Sequence, residues 1–106
     1  MKQMKIEDLK ADGDALIPAL FGDRKIARGG LHIFKPGEVA HPEPVHKHDT
    51  EEVFIFLQGR GVIPIDGVDY PVETGDVVIV DAGEDHHTRS NEDCRLVAAW
   101  YVMEKA

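Results

Sequence analysis

From Ile26 onward the chain breaks into short apolar runs, each closed by turn-forming residues, and no helical period survives past Phe21. Ala27 to Phe34 reads as a strand stopped by Lys35-Pro36-Gly37. Glu38 to Val45 carries Pro42 and Pro44 and reads as a loop. Further strands fit Val45–His48, Glu52–Leu57 and Gly61–Ile65. Asp66-Gly67 signals a tight hairpin into Val68–Val72. Turns at Glu73–Asp76, Ala82–Asp85 and Asn91–Asp93 then separate strands at Val77–Val80, His86–Arg89 and Arg95–Met103. About eight short strands at this spacing predict an all-β sandwich or barrel. Val77-Val78-Ile79-Val80 is apolar at both parities, which suits a central strand covered on both faces.

At 106 residues the chain can bury one core but not two. With 42% hydrophobic and 30% charged residues it falls among folded globular domains rather than disordered or membrane chains. A net charge of −8 repels phosphate backbones and argues against nucleic-acid binding by this chain alone. Cys94 is the only cysteine, so an internal disulfide and a Cys-rich zinc site are excluded. Its place beside an apolar run predicts a buried small hydrophobe. Residues 1–25 are expected to form an arm or short helix, with apolar clusters Leu16-Ile17 and Ala19-Leu20-Phe21 around Pro18, and 26–106 the main domain. The opening residues lack the apolar stretch of a secretory signal, and no run is long enough to span a bilayer. The expected location is therefore cytoplasmic, without membrane contact.

Chemistry concentrates in His46-Lys47-His48-Asp49-Thr50-Glu51-Glu52. Imidazoles two residues apart share one side of a strand, and a turn can return the Glu52 carboxylate to the same spot. Two neutral nitrogens and one anionic oxygen suit a divalent first-row cation. His86 offers a fourth donor. Its neighbour His87 must face the other way and reads as a surface residue. His41 and His32 are candidates for assisting the site from outside the donor set, and Arg28 and Arg89 read as exposed. Counting from Glu52 by twos places Phe54 and Phe56 on the metal side. Val53, Ile55 and Leu57 then face the opposite layer or a partner. Trp100 and Tyr101 face opposite sides of the last strand, so one of them can line a pocket.

These residues resemble the cupins, small β-barrels of the jelly-roll kind. The first cupin motif is a glycine, His-x-His, three or four residues, Glu, six residues and a glycine. His46, His48, Glu52 and Gly59 match it, while Gly37 lies early and implies a short insertion around His41-Pro42-Glu43-Pro44. Gly75, Gly83 and His86 match the second motif. Asp81 stands where proline is usual and Ser90 where asparagine is usual. The resemblance covers roughly residues 26–103. It implies a jelly-roll barrel (a double-stranded β-helix) and ligand roles for His46, His48, Glu52 and His86 toward one divalent transition metal, Fe, Mn, Ni, Co, Cu or Zn.

Four protein donors on a six-coordinate ion leave two positions for water or a chelating substrate, whereas tetrahedral zinc would be nearly saturated. The expected function is a metal-dependent, dioxygenase-type enzyme on a small chelating organic substrate, with Glu52 as a possible proton shuttle. The alternatives are a non-catalytic binding or sensor domain, and an isomerase or epimerase. Residues 1–24 are too short for a helix-turn-helix, which disfavours a transcription factor. Burial of Val53, Ile55, Leu57 and the Val77–Val80 strand against a second copy predicts a homodimer.

Overall fold

The computed structural model describes residues 1–9, 25–40 and 46–104. Eight strands are present among them: β1 (Lys2–Lys5), β2 (Ile26–Phe34), β3 (Glu52–Gln58), β4 (Arg60–Ile65), β5 (Val68–Glu73), β6 (Asp76–Val80), β7 (Arg89–Ser90) and β8 (Leu96–Met103). They form a five-stranded sheet in the order β1-β6-β3-β8-β2 and a three-stranded sheet in the order β5-β4-β7. All pairings are antiparallel. The architecture is the expected all-β jelly roll, with the two sheets facing one another.

The core follows from alternation along each strand. Phe54 and Phe56 of β3, Val78 and Val80 of β6, and Leu96 and Ala98 of β8 point inward. Ile63 and Ile65 of β4, Val72 of β5 and Phe34 of β2 meet them. The expectation for Val77–Val80 holds, since β6 lies inside its sheet and all four residues are buried. Asp66-Gly67 makes the expected hairpin. Both residues have positive φ (47° and 82°), the backbone twist that suits a two-residue turn joining Ile65 to Val68.

Three expectations are revised. Residues 2–5 form neither helix nor irregular arm but an edge strand paired with β6, followed by a single 3-10 turn at Ile6–Asp8. His46–His48 and His86–Thr88 are not in regular strands, and Val45 lies outside the described residues. Residues 46–48 carry no ladder, and His86 makes only an isolated bridge to Ile65. Cys94 is half-buried rather than buried, its Sγ 3.7 Å from the Arg60 carbonyl. The clusters around Pro18, together with His41 and the prolines that follow it, lie outside the described residues.

Asp76 anchors β1 to this framework. Its buried carboxylate accepts the Glu73 N–H at 2.8 Å and the Gln3 side-chain amide at 3.4 Å, and pairs with Lys5 at 2.7 Å. Asp76→Ala leaves those donors unmet and is expected to destabilise the fold by about 1–3 kcal/mol. A lowered urea midpoint with an unchanged slope would register it; an unchanged midpoint would contradict it.

Candidate metal centre

His46, His48, Glu52 and His86 meet at one end of the space between the sheets. Their potential donor atoms all lie within 4.8 Å of one another. Glu52 is the first residue of β3 and points inward by the same alternation that buries Phe54. The two imidazoles of His46 and His48 arrive by backbone pairing with the segment before β7. The His46 carbonyl accepts the His86 N–H at 2.9 Å, and the His48 carbonyl accepts the Gly83 N–H at 2.8 Å. Asp85 accepts the His46 N–H at 2.7 Å. A two-residue spacing therefore brings both rings inward without a regular strand.

The rings crowd one another. Centroids of His46 and His48 are 4.8 Å apart, of His46 and His86 4.9 Å, and of His48 and His86 5.5 Å. One carboxylate oxygen, Glu52 Oε1, is 2.8 Å from His86 Nε2 and 3.2 Å from His48 Nε2. The second His86 nitrogen, Nδ1, faces the Glu84 carbonyl at 3.1 Å, a contact that orients the ring. Burial, reinforced by the other two imidazoles and Arg28 and only partly offset by Glu52, lowers the His48 pKa and favours its neutral, lone-pair form. Burial also works to lower that of His86, but hydrogen bonding to Glu52 and to the Glu84 carbonyl outweighs it and raises the value. Three imidazole nitrogens and one carboxylate converging on one point form a donor set suited to a divalent transition metal.

A cavity of about 240 Å³ opens from these donors along the inner face of the five-stranded sheet. Phe54 and Trp100 line it, whereas Phe56 is wholly in the core. Trp100 is thus the pocket member of the Trp100–Tyr101 pair. Its indole lies across Gly30, where a Cβ would come within 3.1 Å of the ring. Arg28 is exposed yet lines the cavity, while Arg89 is exposed and faces Asp69 at 3.6 Å. His87 is turned away from the four donors and contacts Asp85 at 2.8 Å. His32 lines the cavity beyond Trp100, its Nε2 2.8 Å from Glu38.

Two features escaped the sequence reading. Thr88 is buried and lines the cavity, two residues past His86, and continuing the parity from His86 would have found it. Ser90, in place of the usual asparagine, ties the loop after β2 to β7. Its hydroxyl donates to the Lys35 carbonyl and accepts the Glu38 N–H.

Residues 30–101 match the Cupin_2 family model, described as a cupin domain. The chain is 39% identical over 62 residues to an oxalate-binding protein of Thermotoga maritima, covering 56% of this chain and 51% of that protein. It thus spans about half the length of that relative. An uncharacterized protein of Methanocaldococcus jannaschii, MJ1618, is 32% identical over 92 residues, covering 76% of this chain and 72% of the other. Among solved structures, a "predicted oxalate decarboxylase" from Thermotoga maritima superposes with a TM-score of 0.65 at 27% identity, over 82% of this chain and 72% of that one. A cupin superfamily protein from Desulfitobacterium hafniense superposes at 0.66 over 98% of this chain and 77% of its own, at 18% identity, a likeness of fold alone.

Proposed function

Because this chain belongs to the cupin family, we propose that it holds one divalent transition metal through His46, His48, Glu52 and His86 and acts there on a small chelating organic acid. The convergence of the four donors at the end of an apolar cavity carries this reading. A bound cation would supply Lewis acidity and a fixed point for substrate oxygens. The chain's own groups supply the rest. Trp100 and Phe54 give the substrate an apolar wall that limits water. Arg28 adds positive charge near His48 and so favours an anion. Glu52, the single carboxylate of the set, is placed to hold a proton if it loosens from the cation during turnover.

The reaction class we favour is a dioxygenase-type oxidation. The test is elemental analysis of protein purified without added metal, then oxygen uptake with enol, diol and hydroxy-acid substrates. Near-stoichiometric redox-active metal with substrate-dependent uptake is the expected result. Full zinc occupancy with ligand binding but no turnover would instead support a binding domain, the reading favoured by the 39% identity to a protein named for oxalate binding.

We also infer a homodimer, through a surface that shares only Leu57 with the one expected. Val53 and all of Val77–Val80 are buried within one chain and cannot serve. Leu31, Ile33 and Leu57 on the outer face of the same sheet are 58%, 53% and 50% exposed. Leu31→Glu is expected to convert a dimeric mass to a monomeric one in light scattering; a monomeric parent protein would sink the inference.

A further inference from the structure

The cavity reaches well past the four donors, and strand register orders its wall in rows. Arg28, Val102 and Glu52 line the first, Trp100 and Phe54, in register with Gly30, the second, and His32 and Ala98 the third, whose Phe56 lies in the core. At about 3.3 Å per residue the His32 row lies roughly 13 Å along the strands from the Glu52 row. The middle row is apolar, so a ligand tied to the first row crosses an apolar stretch before it meets polar groups again.

Those polar groups are held ready. The His32 ring is stacked on Phe34, with centroids 3.9 Å apart, and its Nε2 lies 2.8 Å from Glu38 Oε2. Glu38 also accepts the Lys35 N–H at 3.3 Å. The His32 hydrogen bond first, and the Lys35 N–H second, hold the Glu38 carboxyl below its ordinary range. Glu38 is thus an acceptor at neutral pH and receives the hydrogen bond from Nε2–H, which leaves Nδ1 as the remaining polar atom of His32. Only the doubly protonated ring donates from Nδ1, so a ligand carboxylate would bind there together with a proton. Thr88 lines the same cavity at 2% exposure, and its Oγ1 has no hydrogen-bond partner among the described residues. A buried hydroxyl in that condition is a cost that a ligand oxygen removes.

We propose that His32 and Thr88 form a second polar subsite, and that the ligand is a small bifunctional organic acid whose far carboxylate binds there. Its near end chelates through two oxygens, and a short apolar spacer passes Trp100 and Phe54. This rests on the reading of the four donors as a metal site. Oxalate spends both carboxylates on one cation and leaves the subsite without a partner. A hydroxy diacid with a short carbon chain serves both ends. The 240 Å³ cavity admits it while falling below the roughly 300 Å³ at which pockets for drug-sized ligands begin.

Calorimetric titration of the Co(II)-loaded protein with oxalate, lactate and 2-hydroxyglutarate tests this. Lactate has the same hydroxy-acid chelate without the far carboxylate. We expect 2-hydroxyglutarate to bind at least about tenfold tighter than lactate, as one charged hydrogen-bonding end predicts. His32→Asn, Thr88→Val and Glu38→Gln, made singly, should each narrow that ratio while lactate affinity and the Co(II) absorption spectrum stay unchanged. The spectrum also shows that each variant is folded around its metal. A ratio near one in the parent protein, or one that survives all three substitutions, overturns the subsite. Failure of all three acids on a protein that retains cobalt overturns the ligand class. A protein that retains no cobalt overturns the metal reading, and the subsite with it.

Discussion

Gly59→Ala is expected to be among the most damaging single substitutions in this chain, costing on the order of 3 kcal/mol or more. Gly59 is the one residue between β3 and β4, and there the chain leaves the five-stranded sheet for the three-stranded one. Its φ of 89° is a conformation that L side chains rarely adopt. A Cβ there would also stand 1.9 Å from the Arg95 carbonyl oxygen, so backbone rather than a flexible side chain would have to move. The backbone in the way belongs to exposed Arg95 and to Leu96, which is fully buried, so a shift there reaches the core. Domains of this size have only about 5–15 kcal/mol of stability, so the loss is a large fraction of the total. Chemical denaturation of parent and variant checks it. A midpoint within experimental error of the parent would show that the corner can relax, against this account.

Glu52→Ala is expected to weaken metal binding by more than about 100-fold, beyond the loss usual for groups that merely support a ligand. Glu52 is the sole anionic donor of the four, and one of its oxygens lies near the nitrogens of both His48 and His86. Binding of metal to the native state alone, at about a hundred times its dissociation constant, adds roughly 2.7 kcal/mol of stability. In a domain this small that raises Tm by on the order of 10 °C. The parent protein should therefore melt well below its metal-loaded temperature in a chelator, and Glu52→Ala should melt alike with and without metal. Glu52→Gln, which keeps shape but removes charge, should lie between them. A full metal-induced shift in Glu52→Ala would remove Glu52 from the donor set.

Much of this was legible because two signals agreed. Turn residues set strand ends, and the parity from Glu52 correctly turned Phe54 inward and Leu57 outward. The convergence of His46, His48, Glu52 and His86 was legible because their spacing survives the loss of regular strand at His46–His48: backbone pairing with Gly83 and His86 enforces it instead. What alternation does not reveal is cover. Val53 lies on the face opposite Phe54, as counted, yet is fully buried within the chain, so parity mislocated the surface open to a partner. Lys2–Lys5 carries too little apolar pattern to announce a strand. It pairs because β6 offers an open edge, a property of the sheet and not of those residues. Thr88 went unseen because a lone threonine between histidine and arginine has no signal until its neighbours are folded around it.

The shared Glu52 oxygen joins residues that are 34 apart in the chain, with one partner on β3 and the other bridged to β4. No hairpin brings these groups together, and loop closure over such a separation is slow and late. A cation held by all four donors would therefore pin one sheet to the other. Its escape would be paced by transient parting of the sheets, not by the bond strengths of the separate donors. Slow exchange of metal would then act as a clock for how often this small barrel breathes.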